Sequence, residues 1–445
     1  MSLDVCVIGG GLAGCAAALA AAQAGARVMV VNHAPGTTAM HTGVFDIDAD
    51  QARIKKLPVP ENGDLAQNVH SMLAANPRHA YARLGDDPAG AVREAAEFTT
   101  ARLSGAGLPL AFTTDRWMLL PTQLGTLRRA RLCLDTMAPG DLFQMKNANL
   151  LLIGAAGLDG FRPAAAAALI KSLADRVSPG LVGECAGVSL APPAGAQTPN
   201  LSPFHFAQLM DRADARGEFL ERTAAAAKER GATHAAFPAA MGAERAAETL
   251  EAARAALGIP CFELAAAPPC VSGLRLETAL AAALRQADVP VLKGRAAAFR
   301  AGDGDIFSIT VQTPHGEQAV EASAFVLATG KFTSGGLARG EELAECLFDL
   351  PVFCGDRPAR GMFLVDLTTP QFADKQPIFS CGLRADFRHR PADERGRRVW
   401  RNLFAAGSVL GGYDPFRDRC GSGVALATGL AAGRAAAMSV KGEQR

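Results

Sequence analysis

The clearest hydrophobic period in the chain comes at its start. Val5–Ile8 is a short apolar run rich in β-branched residues, the pattern of a buried parallel strand. An Ala-rich helical run follows as far as Gly25, and Val28–Val31 reads as a second apolar strand. Between the first strand and the helix, Gly9, Gly11 and Gly14 keep the G-x-G-x-x-G spacing. In such a turn Gly9 bends the chain, Gly11 lets a diphosphate approach the backbone, and Gly14 packs helix on strand. Backbone amides at the helix start, Leu12 and Ala13 among them, then hold the anion. Strand, turn, helix and strand occur in the order the motif requires, so a dinucleotide or a flavin is expected here. Asn32 stands where Asp or Glu usually holds an adenosine ribose; it can accept a hydrogen bond but is neutral and also a donor.

Further along, residues 50–77 are proline-rich and polar with little period, and Pro88–Leu103 reads as an amphipathic helix. A second α/β alternation begins at Asn149. Strands are expected at Leu150–Ile153, Leu181–Leu190, Thr233–Phe237 and Pro260–Leu264. Helices are expected at Pro163–Val177, His205–Arg230, Ala243–Leu257 and Leu274–Gln286. That alternation predicts a parallel sheet inserted between two halves of the first domain. Ile306–Gln312 and Gln318–Glu321 read as a hairpin across Pro314-His315-Gly316, followed by a buried strand, Ala324–Gly330. Thr329 and Gly330, at its end, return the chain to the cofactor. A late strand, Asn402–Ser408, runs into a glycine turn at Gly407 and Ser408, and Gly421, Ser422 and Gly423 open the last helix. The positive end of such a helix suits an anionic reduced flavin. Ser408 replaces the acidic residue usual after the strand glycine.

The expected class is α/β: a Rossmann-like FAD/NAD(P)-binding flavoprotein fold, discontinuous, with an inserted α/β domain. Residues 1–50 and 320–445 form the flavin-binding part, 51–148 a mostly helical or loop insertion, and 149–319 the inserted α/β domain.

Composition narrows the function. The 445 residues carry a formal net charge of +1, and only 6% are aromatic, which argues against broad attraction to nucleic acid or anionic membrane and against base stacking. Ten cysteines contain no C-x-x-C pair, which disfavours a zinc site or an iron–sulfur cluster built by this chain alone; no metal site is expected. With no signal peptide or disulfide spacing, a reducing cytoplasm is expected. No apolar run reaches spanning length, so membrane contact is expected only through a partner.

The polar loop after Asn32 offers the hydroxyls of Thr37, Thr38 and Thr42, with Gly43 permitting close backbone approach. Residues 119–129 combine two hydroxyls, a glycine and two arginines, able to clamp an anion, although a solvated basic turn is the commoner explanation. No His/Asp or Ser/His pair has a diagnostic spacing. His41, Asp46, Arg275, Asp414 and Arg419 are the loop positions weighed for catalysis, each more often structural.

Several stretches resemble the B subunit of anaerobic glycerol-3-phosphate dehydrogenase: Leu327–Leu337, Gly273–Leu276, Asn402–Pro415, Leu124–Arg128 and Thr42–Asp46. The resemblance runs from the first strand to the last helix. It implies a three-part complex oxidising sn-glycerol 3-phosphate to dihydroxyacetone phosphate. The A subunit would be a FAD protein, and the C subunit would carry iron–sulfur clusters, dock to the membrane and pass electrons to quinone. The complex would be cytoplasmic and peripheral to the inner membrane. The B subunit is usually described as containing FMN, which fits Asn32; the glycine turn, built for a diphosphate, argues for FAD. Two other readings are a stand-alone FAD oxidoreductase of the fumarate-reductase or amine-oxidase kind, and a non-catalytic scaffold with a vestigial nucleotide fold. Lys331 and the Arg417-Asp418-Arg419 cluster add charge close to the expected site.

Overall fold

In the computed structural model, which describes residues 3–48, 61–196, 200–371 and 373–443, the strand Leu3–Ile8 lies inside a seven-stranded sheet. Val28–Asn32 runs parallel on one side and the end of Gly316–Leu327 on the other. Leu403–Ala405 pairs with that same end, so late chain returns beside early chain. The apolar runs are buried as their composition requires: Val5, Val7, Val30 and Val326 are fully enclosed. Against the sheet pack the opening helix, Leu12–Gln23, and the closing helix, Gly421–Glu443, which also pack on each other.

Gly316–Leu327 is one strand where the sequence suggests two. Its first half pairs antiparallel with Asp305–Thr313, and its second half joins the parallel core. Arg295–Gly302 extends the hairpin, and Val291–Lys293 pairs with Val28–Asn32. Residues 291–319 therefore belong to the flavin-type sheet, which corrects the expected boundary at 319.

A second sheet orders Cys261–Glu263, His234–Phe237, Ala148–Ala155 and Val182–Leu190, all parallel. It has its own core, with Leu152, Phe206, Phe219, Phe237 and Phe262. The expected helix His205–Arg230 is broken into Pro203–Asp211 and Ala213–Glu229. The break follows from Asp211, whose carboxylate accepts the Ala243, Glu244 and Arg245 amides, while Arg212 is extended. The helix Val271–Gln286 leaves this unit and lays Leu276, Leu280 and Leu284 into the first core.

The segment expected to be mostly helix or loop is mixed. Residues 49–60 lie outside the described residues. Beyond them, Asp64 accepts the Gln67 amide and starts an unpredicted helix, Leu65–Ala75, and Pro88–Gly105 packs on the closing helix. Small antiparallel sheets complete it, among them the hairpin Met118–Pro121 with Leu127–Ala130 where a basic loop was expected.

The closing helix is long and apolar enough to cross a membrane, contrary to the sequence reading, but about two thirds of its most apolar window (67%) is buried in the fold. Its Ala and Gly faces are taken up by the opening helix, so it serves as a core element.

Candidate functional site

Both helix starts open on one cavity of about 1120 Å³, at the upper end of the roughly 300–1,000 Å³ usual for small-molecule sites. Gly9–Ala13 line it from the opening turn, and Gly421, Ser422 and Ala425 from the closing helix. Thr329, Gly330 and Ser408 form the wall between them.

The turn is built as its spacing implies. Gly9 adopts φ +114°, and its α-carbon faces the Ala328 carbonyl with no room for a side chain. The Gly10 amide donates to Asn32 Oδ1 at 3.3 Å and the Leu12 amide to Thr38 Oγ1 at 3.2 Å. Asn32 thus has a role the sequence left open: its carbonyl oxygen braces the glycine turn. A β-carbon at Gly10 would stand 2.5 Å from Asn32 Cγ. The remaining amides of the first turn, with the helix dipole behind them, form an anion site.

Asn32, His33 and Gly294–Ala296 form a further wall beside this turn. Sequence patterning missed the Gly294–Ala296 stretch, because nothing marks an edge strand after a helix as a binding wall. Inside the cavity lining, the hydroxyls of Thr329 and Tyr413 are buried with no protein partner. Buried polar groups are rarely left unsatisfied, and such orphans at a cavity fit a bound polar ligand.

The expected cofactor positions divide. Gly9, Gly11, Leu12, Ala13, Asn32, Thr42, Thr329, Gly330, Ser408, Gly421 and Ser422 line the cavity. Gly14, Gly43, Gly407 and Gly423 do not, and each is a packing glycine. Gly14 lies against the Gly9 carbonyl, and Gly43, at φ +87°, against Met137 and Leu134. A β-carbon on Gly407 would meet Ala13 Cβ at 2.5 Å. Gly423 donates its amide to the Asp46 carbonyl at 2.8 Å and crosses Ile47 and Tyr81.

The three positions weighed as weak catalytic candidates have structural surroundings. Arg275 is 5% exposed and committed to Glu263 at 2.7 and 2.9 Å and to the Gly242 carbonyl, as part of the second core. Asp414 is buried and accepts the Phe416 and Arg417 amides, capping its own turn. Arg419 is exposed at φ +44° and lies outside the cavity lining.

Other residues gather at the cavity instead. Arg128, from the basic hairpin, donates to Thr42 Oγ1 at 2.8 Å and to Asp46 Oδ2 at 2.7 Å. His41 Nδ1 accepts the Gly43 amide at 3.2 Å, so Nε2 carries the proton and faces Ser422 Oγ at 3.4 Å. Burial first, then the Arg128 charge, pushes the His41 pKa down to about 3, so the ring is neutral. Lys331 donates to the Phe379 carbonyl at 2.7 Å and sits 5.1 Å from the Tyr413 ring centroid. Burial lowers its pKa to about 8, against the opposing influence of Cys381, Asp414 and Cys420. Among the described residues there is no cluster suited to a metal ion.

The chain is similar to known proteins along nearly its whole length. The family model described as FAD binding domain matches residues 4–424. The probable B subunit of the anaerobic glycerol-3-phosphate dehydrogenase of Halobacterium salinarum is 31% identical, over 99% of both chains. Its counterpart in Vibrio vulnificus is 28% identical, over 100% of this chain and 99% of the other. Among solved structures, a flavocytochrome c3 fumarate reductase in its open conformation aligns with a TM-score of 0.43 at 12% identity, covering 99% of this chain and 78% of the other. The orphan hydroxyls, the glycine cradle and the wall at Asn32 fit FAD, with room for its adenosine half that FMN would not need.

Proposed function

The chain belongs to the FAD binding domain family and, within it, to the B subunits of anaerobic glycerol-3-phosphate dehydrogenase; from that premise we propose that its cavity takes part in oxidising sn-glycerol 3-phosphate to dihydroxyacetone phosphate. The observation that carries this reading is the meeting of two helix starts in one cavity whose lining also holds Arg128 and Lys331.

FAD supplies a two-electron acceptor that can release electrons singly. Gly9–Ala13 and Thr38 would hold its diphosphate, and Gly421 and Ser422 its flavin. The chain's own residues do the rest. Lys331 is held with its ammonium donating to a carbonyl and facing an aromatic ring, both of which favour the charged form. A protonated Lys331 suits the phosphate of the substrate. Arg128, paired with Asp46 and bonded to Thr42, gives the cavity lining a second, oriented guanidinium. His41 is neutral and donates from Nε2, so it orients a ligand oxygen and is too weak a base to take its proton.

Electrons would leave through an iron–sulfur C subunit to quinone, with the FAD-containing A subunit as the other partner, in a cytoplasmic complex reaching the inner membrane through its iron–sulfur member. The subunit designation of the relatives supports the existence of partner subunits. The test is anaerobic addition of sn-glycerol 3-phosphate to the purified chain. Bleaching of the flavin absorbance is expected, and an unchanged spectrum, alone and with the partner subunits, overturns the reading.

A further inference from the structure

We propose that Cys354 and Cys381 form a redox-active dithiol that closes to a disulfide on reaction with a small-molecule disulfide. The strands Val352–Cys354 and Gly382–Leu383 pair antiparallel, with Phe353 opposite Gly382. Continuing that register by one residue sets Cys354 directly across from Cys381. Directly opposed residues on antiparallel strands have α-carbons roughly 4.5–5.5 Å apart, inside the roughly 4.4–6.8 Å that a disulfide spans.

The side chains agree with the backbone. Both sulfurs turn to one carbonyl, that of Pro377, at 3.8 Å from Cys354 and 3.5 Å from Cys381.

The two thiols are unequal in a useful way. Cys354 is partly exposed, whereas Cys381 is fully buried. The neighbouring Cys381 thiol, helped by Arg357 and Lys375 against burial and Asp366, lowers the Cys354 pKa to about 7. The neighbouring Cys354 and burial raise the Cys381 thiol, with Lys331 acting in the opposite sense. Cys6, Cys15 and Cys133 are sealed in apolar surroundings, and burial raises each of them. Cys346 is exposed, but burial of its sulfur and the Glu345 charge raise it. Cys354 alone joins access, a depressed pKa and a facing thiol.

The chemistry balances. The Cys354 thiolate attacks one sulfur of the small disulfide, forms a mixed disulfide and expels a thiolate. That thiolate takes the Cys381 proton. The Cys381 sulfur then attacks the Cys354 sulfur and expels the second thiolate. Two protein thiols are oxidised, and one external disulfide is reduced to two thiols.

Closure would act on the cavity wall. The turn Pro377–Ser380 carries Phe379, which lines the cavity and whose carbonyl receives Lys331. Next to it, the Gly411 amide donates to the Leu383 carbonyl and the Gly412 amide to Ser380. A covalent tie at Cys381 fixes that turn at its root.

The test is thiol mapping on the purified full-length chain after exposure to oxidised glutathione. Free thiols are blocked, and the digested protein is weighed by mass spectrometry. The expected product is one peptide pair joined through Cys354 and Cys381, lighter by two hydrogens and released by dithiothreitol. Cys381→Ser should leave glutathione trapped on Cys354, and Cys354→Ser should give neither product. The wild-type map does not depend on either variant folding. Glutathione retained on wild-type Cys354 without a cross-link, a cross-link between other cysteines, or both thiols still fully alkylated would each overturn the proposal.

Discussion

Gly429 lies against Ala13 with no space for a side chain: a β-carbon there would stand 2.5 Å from the Ala13 carbonyl oxygen and 3.0 Å from Ala16 Cβ. One turn later Gly433 meets the Ala17 backbone in the same way. This close crossing of the opening and closing helices is what aims both of their starts into one cavity, since Ala13 itself lines it. Gly429→Val should therefore cost about 2–3 kcal/mol through overpacking and lower FAD occupancy as well. Thermal melting and flavin absorbance per mole of chain check both effects. A variant of full stability and full colour would show that the crossing is not needed.

Gly11→Val tests the cradle itself. A β-carbon at Gly11 has one close neighbour, Thr38 Oγ1 at 3.1 Å, a tight contact that a shift of a few tenths of an ångström in that side chain relieves, so the fold should survive. The added methyls enter the cavity where the cofactor diphosphate belongs. FAD affinity measured by reconstitution of the apoprotein should fall at least about tenfold, or about 1.4 kcal/mol, with the melting temperature of the apoprotein unchanged.

Lys331 sets a pH dependence. Its pKa is lowered to about 8, so the charge that meets a phosphate is present below that pH and is lost above it. The KM for sn-glycerol 3-phosphate should therefore rise as pH passes through about 8. Lys331→Met should raise KM by about tenfold at neutral pH and flatten the profile. A KM rise that persists at the same pH in the methionine variant would assign the titration elsewhere.

Arg275 separates stability from chemistry. Removing one partner of its buried pair with Glu263 should cost about 3–5 kcal/mol, read by denaturant unfolding of Arg275→Met. Catalytic turnover per folded, flavin-loaded molecule should stay at the wild-type level, because the pair lies outside the cavity lining.

His79 is buried and its pKa lowered to about 4 by burial; its Nε2 lies 3.3 Å from Cys420 Sγ. The unfolded chain binds this proton below about 6.5 and the folded chain only below about 4. Stability should therefore fall as pH drops across that window. His79→Asn keeps an acceptor for the Tyr81 amide, which bonds Nδ1 of the histidine at 3.1 Å. Melting curves from pH 7 to 4 should show a shallower acid slope in that variant.

The opening strand, turn and helix were legible because their residues act locally: β-branched runs and glycines at fixed spacing state their own geometry. The parallel second sheet was legible for the same reason. What sequence could not separate was a glycine that faces a ligand from one that faces a helix. Gly421 and Gly423 differ by two residues, yet only Gly421 lines the cavity, because Gly423 meets Ile47 and Tyr81 from distant chain. Arg128 and Arg275 were equally ambiguous. Each forms an ion pair, and only the tertiary fold decides that the Arg128 pair borders the cavity while the Arg275 pair closes a core. The break at Arg212 likewise depends on Asp211 finding amides more than thirty residues ahead.

The most direct measurement of the central claim is the mass and amount of whatever chromophore leaves the purified chain on denaturation. Two helix starts sharing one dinucleotide cradle predict FAD, equimolar with the chain and lost in Gly11→Val. Release of FMN, or of no flavin after reconstitution with FAD, would contradict it.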